Sequence, residues 1–221
     1  LEALVKKYSE TYLFGYPCDV REFNQVQGLW DASLDHFGEV DIWINNAGVG
    51  NAQIKYWNFP PSRIASVVDT NVRGAMYGAR VALHGMLQQG YGAFYNMEGL
   101  GSEGPYVDGL ALYASTKSAL RYLTDSLVRE ERDTPVIVGA ISPGMVITDL
   151  VTKPYEDKPG EWKKGKRIFN ILGDHVETVA PWIAKQVIAN HANGNRIKWL
   201  TRWKVVKRFL FSPFVDRNLF D

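Results

Sequence analysis

The 221-residue sequence predicts a doubly wound α/β fold, a parallel β-sheet with helices on both faces. Three observations carry this reading. Short apolar runs of strand length recur along the chain, stretches of helix length separate them, and polar and glycine-rich residues cluster where the runs end. Apolar residues make up 46% of the chain, enough for one domain with a sizeable core, and residues 1–221 are read as a single domain.

Leu1–Glu10 reads as the end of an amphipathic helix, with Leu1, Leu4 and Val5 on one face. A strand over Tyr12–Tyr16 follows, then a helix near 22–37 and a second strand over Asp41–Asn45. A helical stretch over 61–89 leads to a strand at Ala93–Met97, and one over 112–131 leads to Val136–Ile141. A helix near 177–191 and a weaker strand over Arg196–Leu200 close the pattern. The strands are short and apolar, as they are when both faces of a parallel sheet are covered. Their alternation with helices selects parallel crossovers. Ligands of such a sheet sit outside the carboxyl ends of the strands. Cys18–Val20, Asn45–Gly48, residues 96–104 and Ser142–Gly144 fall there, so one crevice is expected.

Composition excludes several classes. The net charge of +1 provides no bulk attraction to nucleic acid, and no nucleic-acid partner is expected. One cysteine, Cys18, excludes a disulfide within the chain and fits a reducing compartment. No apolar run approaches the roughly 18–20 residues that span a bilayer, no signal-peptide pattern is visible, and no metal site is expected.

The chemistry concentrates on Tyr113-Ala-Ser-Thr-Lys117, at the start of a helical stretch. Positions i and i+4 share a helix face, so phenol and ammonium can address one point. A cation beside a phenol favours the phenolate and lowers its pKa toward neutrality. Such a phenol can give a proton to a carbonyl oxygen or take one from an alcohol. Alone, the pair is a weak signal and reads first as a solvated helix face. Three companions accompany it: Asn45-Asn46-Ala47-Gly48 at a strand end, Asn71 inside a helical pattern it does not favour, and Pro143-Gly144-Met-Val146-Ile-Thr148 after another strand.

In this order and at these spacings the four motifs resemble the short-chain dehydrogenase/reductase family, whose sheet is Rossmann-like; the likeness runs from Leu1 to at least Leu150. The resemblance implies residue roles. Tyr113 would be the general acid/base; Lys117 would bind the nicotinamide ribose and tune Tyr113. Asn71 would hold a water in a proton relay. Asn45, Ala47 and Gly48 would line the adenosine ribose, and Asp19 would contact the adenine. Pro143 and Gly144 would shape the turn in which Val146 and Thr148 fix the nicotinamide carboxamide. The hydride chemistry would belong to the cofactor, with NADPH expected over NADH.

Two departures stand out. The family has a serine in the loop after the Ala93–Met97 strand, at a place that falls here near Gly99 or Leu100. Ser102 is the nearest hydroxyl; either it serves the substrate carbonyl, or the site works without one. The family's TGxxxGxG phosphate loop and first two strands are not found either. Those strands belong between Tyr12–Tyr16 and Asp41–Asn45, and a gap there would leave unpaired sheet edges. The sequence is therefore expected to be an N-terminally truncated part of a longer protein.

The segment Phe94-Tyr-Asn-Met-Glu-Gly-Leu-Gly-Ser102 is similar to its counterpart in the chlorophyll(ide) b reductases of the NOL/NYC1-like group. The likeness continues at Asp41–Asn46, Ser142–Leu150, Phe169–Leu172 and Glu177–Ala180. It implies NADPH-dependent reduction of the 7-formyl group of chlorophyll b to hydroxymethyl, as in chlorophyll catabolism. It also implies a place in the cytoplasm or plastid stroma, peripheral on a photosynthetic membrane. Two alternatives stay open: a reductase of the same fold for another aldehyde, ketone or secondary alcohol, and a non-catalytic nucleotide-binding relative.

A variable substrate lid is expected over about residues 150–176, with Tyr106, Trp162 and Phe169 as candidate apolar walls for a flat pigment. Lys163, Lys164, Lys166 and Arg167 surround Trp162, and ordinary lid packing with solvated lysines explains them as well. The C-terminal segment 196–221 begins with six cations and no acid over residues 196–211. Trp199, Trp203, Val206 and Leu210 form an apolar stripe there at helical spacing. A membrane-surface anchor, a subunit interface and a helix packed on its own domain all fit that pattern. The family resemblance adds a homo-oligomer built through the 61–89 and 112–131 helices.

Overall fold

The structure, a computed structural model, describes residues 12–104, 106–155, 159–215 and 217–220. Its elements begin with α1 (Phe23–Phe37), β1 (Ile42–Asn45), α2 (Pro61–Val68), a π-turn (Asp69–Arg73), α3 (Gly74–Gln89) and β2 (Gly92–Met97). They continue with α4 (Ala111–Glu130), β3 (Val136–Ser142), β4 (Met145–Ile147), α5 (Asp149–Thr152), α6 (Pro159–Leu172) and β5 (Gly173–His175). Last come α7 (Val176–Ile188), β6 (Arg196–Lys198) and α8 (Arg202–Phe211). The main sheet is parallel throughout, in the order β1-β2-β3-β6, and β4 pairs with β5 in a small parallel sheet of its own.

Alternation along the strands splits the core in two. Phe94, Val136 and Val138 point to the side of α1 and α3, where Val26, Trp30, Ala82 and Met86 meet them. Ala93, Tyr95, Ile141 and Ile197 point the other way, onto Trp182, Ile183 and Val187 of α7. Phe94 and Tyr95 are fully buried, side chains worth roughly 1.5–3 kcal/mol each by area. The fit is close: a Cβ on Gly85 would stand 2.1 Å from the Trp30 indole, so α1 and α3 approach only because that residue is glycine.

The predicted helices over 22–37, 61–89, 112–131 and 177–191 correspond to α1, α2 through α3, α4 and α7. The doubly wound parallel sheet is as expected. One strand is not. Tyr12–Tyr16 forms no strand; Phe14 stacks on His36 of α1 at 4.8 Å, and the Tyr16 ring lies on Gly28. A strand needs a ladder. The two strands expected beside this segment are not among the described residues, and β1 has β2 on one side only. Ile42 and Ile44 of β1 are correspondingly exposed. The Arg196–Leu200 strand ends earlier than expected, at Lys198. The helical reading of Leu1–Glu10 lies outside the described residues.

The lid and the C-terminal segment pack together. Tyr155, Trp162, Phe169 and Phe220 form one aromatic cluster, with Trp162 and Phe220 centroids 4.9 Å apart. Buried Asp174 of β5 accepts from Trp199 Nε1 at 2.6 Å, Arg208 Nη2 at 2.8 Å and Arg217 Nη2 at 2.8 Å. Four of the six C-terminal cations thus turn inward: Arg196 to Glu98 and Asp125, Lys198 to Glu103, Lys204 onto the Trp199 ring, and Arg208 to Asp174. Trp199 leaves the expected stripe, since it packs on Trp182 at 5.2 Å. Trp203, Val206 and Leu210 remain on the outer face of α8.

Candidate active site

The crevice is built at the carboxyl ends of β1, β2 and β3, with α4 placing the phenol and the ammonium. Asn51 fixes the start of α4: its Oδ1 accepts from Tyr113 N–H at 2.8 Å, while its Nδ2 donates to Gly109 O at 3.1 Å. From there Tyr113 and Lys117 lie one turn apart on one face, as their spacing requires. Lys117 Nζ stands 5.7 Å from the Tyr113 ring centre and donates to Met97 O, at the end of β2, at 2.9 Å.

Asn71 lies in the π-turn between α2 and α3, which explains a residue poor for helices in mid-helix; such bulges often mark functional sites. Its side chain is committed. Oδ1 accepts from Val49 N–H at 2.8 Å, and Nδ2 donates to Val49 O at 2.9 Å and Thr116 Oγ1 at 3.1 Å. This clamps the loop after β1 to α4. Gly48 is drawn in with it, and a Cβ there would sit 3.4 Å from Asn71 Oδ1 and 3.8 Å from Lys117 Nζ. Asn71, Gly48, Tyr113 and Lys117 therefore converge.

Asn45 lies behind them. Its Nδ2 donates to Ala75 O at 2.7 Å and Asn96 Oδ1 at 2.9 Å, and its Oδ1 accepts from Trp43 Nε1. Asn96 in turn donates to Thr124 Oγ1 at 2.9 Å. With the Asn45 side chain turned into this buried network, Ala47 and Gly48 present the loop backbone to the crevice. Asp19 stands further out, held by Arg21 at 2.6 Å, which brings its carboxyl down to about 2. The neighbouring Val20 packs on Gly74, at the end of the π-turn.

Beyond β3, Gly144 takes a left-handed φ of +74° and rests on Leu200. Val146 lies on β4, Thr148 precedes α5, and Leu150 touches Gly50, so the turn from Pro143 to Thr148 reaches the loop after β1.

The place where the family carries a serine is occupied from the other side. A Cβ on Gly99 would lie 2.7 Å from Tyr113 Oη, so the phenol rests directly on the Gly99 backbone. Ser102 closes that turn, its Oγ donating to Gly99 O at 2.8 Å and accepting from Gly99 N–H at 3.1 Å. Of the candidate apolar walls, Trp162 and Phe169 of the lid pack on each other, while Tyr106 is fully exposed.

Electrostatics corrects one expectation. Burial pushes the Tyr113 phenol up rather than down, because Lys117 points its ammonium at the Met97 carbonyl instead of the phenol oxygen. Burial also brings Lys117 down to about 8, against the opposing charge of Glu98. Glu98 was not singled out from the sequence, and neither was Asn51. An acid ending an apolar strand just before glycine was a readable signal for Glu98; nothing marks Asn51 among ordinary loop residues.

The sequence profile of the short chain dehydrogenase family matches residues 1–159, and the chain belongs to that family. The chain is 36% identical over 188 residues to the "probable chlorophyll(ide) b reductase NYC1, chloroplastic" of Oryza sativa subsp. japonica, covering 85% of this chain and 36% of that protein. It is 34% identical over 226 residues to the "chlorophyll(ide) b reductase NOL, chloroplastic" of Arabidopsis thaliana, covering 96% of this chain and 62% of that one. The chain thus spans less than two thirds of either relative. Among solved structures, the closed form of serine dehydrogenase complexed with NADP+ superposes with a TM-score of 0.77 at 23% identity, over 90% of this chain and 80% of that one. ElxO with NADP bound gives 0.75 at 24% identity, over 89% and 81%. These two bear on the fold.

The residues present fit a nicotinamide nucleotide. An ammonium has three donors, and among the described residues buried Lys117 has one protein acceptor, Met97 O. Its remaining donors suit ribose hydroxyls, beside a glycine backbone at Gly48 that a nucleotide can approach closely.

Proposed function

We propose that this chain is part of an NADPH-dependent reductase that converts the 7-formyl group of chlorophyll(ide) b, or of a related pigment, to hydroxymethyl. The observation that carries the reaction type is the half-buried Tyr113 phenol, resting on the Gly99 backbone one helical turn from Lys117. A phenol so placed is a proton donor, which suits reduction of a carbonyl. The substrate class rests on the likeness to plant proteins named for that activity, over most of this chain.

A bound nicotinamide would supply the hydride chemistry, and the chain's own residues would hold it and move the proton. Tyr113 Oη gives its proton to the carbonyl oxygen, and the phenolate left behind is balanced by Lys117. Lys117 holds the ribose with the donors that Met97 leaves free. Asn71 commits its Oδ1 and both Nδ2 protons to Val49 and Thr116, so its share in reprotonation would run through a water on the π-turn backbone. Gly48, Ala47 and the backbone at Asn45 would line the adenosine ribose, with Asp19 toward the adenine, while Pro143, Gly144, Val146 and Thr148 would hold the carboxamide. Ser102 keeps the Gly99 turn closed over the phenol, and the carbonyl is served by Tyr113 alone.

Full-length protein with NADPH and chlorophyllide b should yield the 7-hydroxymethyl product; absence of turnover would remove this substrate. A second reading, reduction of a smaller aldehyde or ketone, draws on the lid: Trp162 and Phe169 pack on each other instead of presenting two flat walls. Turnover of small carbonyls but not of the pigment would select it. We further propose peripheral contact of α8 with an anionic membrane, through Trp203, Val206 and Leu210 flanked by Arg202 and Lys207. The relatives' names suit a plastid setting. Homo-oligomerisation through α2, α3 and α4, where Val68, Met76, Leu87 and Tyr122 are exposed, completes the proposal.

A further inference from the structure

Glu98 is a buried carboxylate to which the proposed reaction assigns nothing. Its side chain is 1% exposed at the end of β2, directly after the residue whose carbonyl receives Lys117. A buried carboxylate needs partners, or it takes up a proton. Glu98 has Arg196, whose Nε lies 3.2 Å from Oε1, and Arg196 in turn meets Asp125 of α4 at 2.6 Å. Two residues along β6, on the same face of the strand, Lys198 meets Glu103 at 2.7 Å, and Arg121 of α4 joins that pair. Two cations of one strand thus grip two acids, and those acids bracket the Gly99–Ser102 turn on which the Tyr113 phenol rests.

We infer that Glu98 is a positioning residue of the catalytic centre: anchored by Arg196, it places its negative charge opposite the Lys117 ammonium and fixes the turn beneath Tyr113. This rests on the proposed roles of Tyr113 and Lys117. The groups around Lys117 are Tyr113 from its own helix, the Met97 carbonyl that ends β2, the Gly48 backbone with Asn71 of the π-turn behind it, the Gly99 backbone, and Glu98 between Met97 and Gly99, whose charge acts on the ammonium. Among these described residues Glu98 is the one acid. Burial alone works against the ammonium, and Glu98 opposes that. A neutral Lys117 would lose a donor and its balance to the phenolate, so Glu98 keeps the site competent toward higher pH.

The test measures NADPH affinity of the full-length protein by fluorescence between about pH 6 and about pH 10, bracketing the lysine transition, with turnover and melting temperature alongside. Wild type should lose affinity as Lys117 deprotonates. Glu98→Gln should move that alkaline limb toward acid by about one pH unit, the low end for one nearby charge because Arg196 already offsets part of it. Glu98→Asp should restore the limb. If Glu98→Gln does not fold, Arg196→Gln serves: the limb must move, toward alkaline pH if the less compensated carboxylate stays charged and toward acid if it takes up a proton. A limb that stays in place in the variant that folds, or an affinity loss equal at every pH, overturns the inference and leaves Glu98 a structural ion pair. Tyr113→Phe separates the two ideas. If it retains full turnover, the proposed proton-transfer role is wrong, while the Lys117 limb still reports on Glu98.

Discussion

Asn71 is the sharpest place to challenge the account of the site, because its side chain joins three elements and requires no substrate to test. Truncation by Asn71→Ala removes three hydrogen bonds, two to Val49 and one to Thr116. Thr116 keeps a partner in Tyr113 O, so its hydroxyl is not orphaned. The Val49 N–H and C=O are the groups left behind, at roughly 1–3 kcal/mol each when buried without a partner. Water entering the space that the carboxamide vacates would recover part of that. The expected loss is about 2–4 kcal/mol, a fall in melting temperature of about 5–10 °C for a chain of this size. Denaturant unfolding followed by tryptophan fluorescence measures it, with the slope checked for constancy. Asn71→Asp should be as costly, since it removes both donors and adds a buried charge. If Asn71→Ala costs under about 0.5 kcal/mol, the range of an ordinary surface change, the clamp between the β1 loop and α4 is not holding the site.

Gly99→Ala places a Cβ 2.7 Å from Tyr113 Oη. The phenol must then move by somewhat under an ångström, and kcat should fall roughly tenfold to a hundredfold with melting little changed; unchanged kcat refutes the contact. Lys117→Met should abolish turnover yet raise stability at neutral pH by about 1–3 kcal/mol, since burial brings the lysine from 10.5 to about 8. The sign follows from proton uptake. Between those values the unfolded chain holds a proton that the folded chain lacks, so wild-type stability should rise with pH across the window and the variant's should not. Equal or lower stability of Lys117→Met at pH about 7 contradicts this. For α8, Trp203→Ala with Leu210→Ala should weaken cosedimentation with anionic vesicles at least several-fold and leave melting unaltered; equal binding to neutral vesicles, or no change, removes the membrane proposal.

The fold was legible wherever the signal is local. Phe94, Tyr95, Val138 and Ile141 announce strands buried on both faces, and the i, i+4 spacing of Tyr113 and Lys117 already places both on one helix face. Tyr12–Tyr16 has strand composition too, but strand formation depends on a neighbour that no local pattern supplies. The direction of the α8 faces was hidden for a related reason. Helical spacing says that Trp203, Val206 and Leu210 share a side, not that Arg208 and Lys204 are on the side turned toward the domain. Asn51 was passed over because a buried polar residue and a solvated one look alike until their partners are in place; Glu98 was marked by its place after an apolar strand, but its partner Arg196 stands 98 residues further along the chain. The expected fall in the Tyr113 pKa failed on direction: proximity in sequence fixed the neighbour, but the ammonium follows the nearest strong acceptor, the Met97 carbonyl.

Asp174 joins parts of the chain that lie far apart in sequence. One carboxylate of the lid strand accepts from Trp199, Arg208 and Arg217, and the same two arginines reach the carbonyls of Leu172 and Ile171 just before it. Lid and tail are therefore one mechanical piece. α8 cannot lift away without releasing the strand that pairs with β4, and β4 bears Val146, two residues from the turn at Gly144 and two from Thr148. A surface that grips the outer face of α8 would consequently be felt, through a single acidic side chain, at the rim of the crevice.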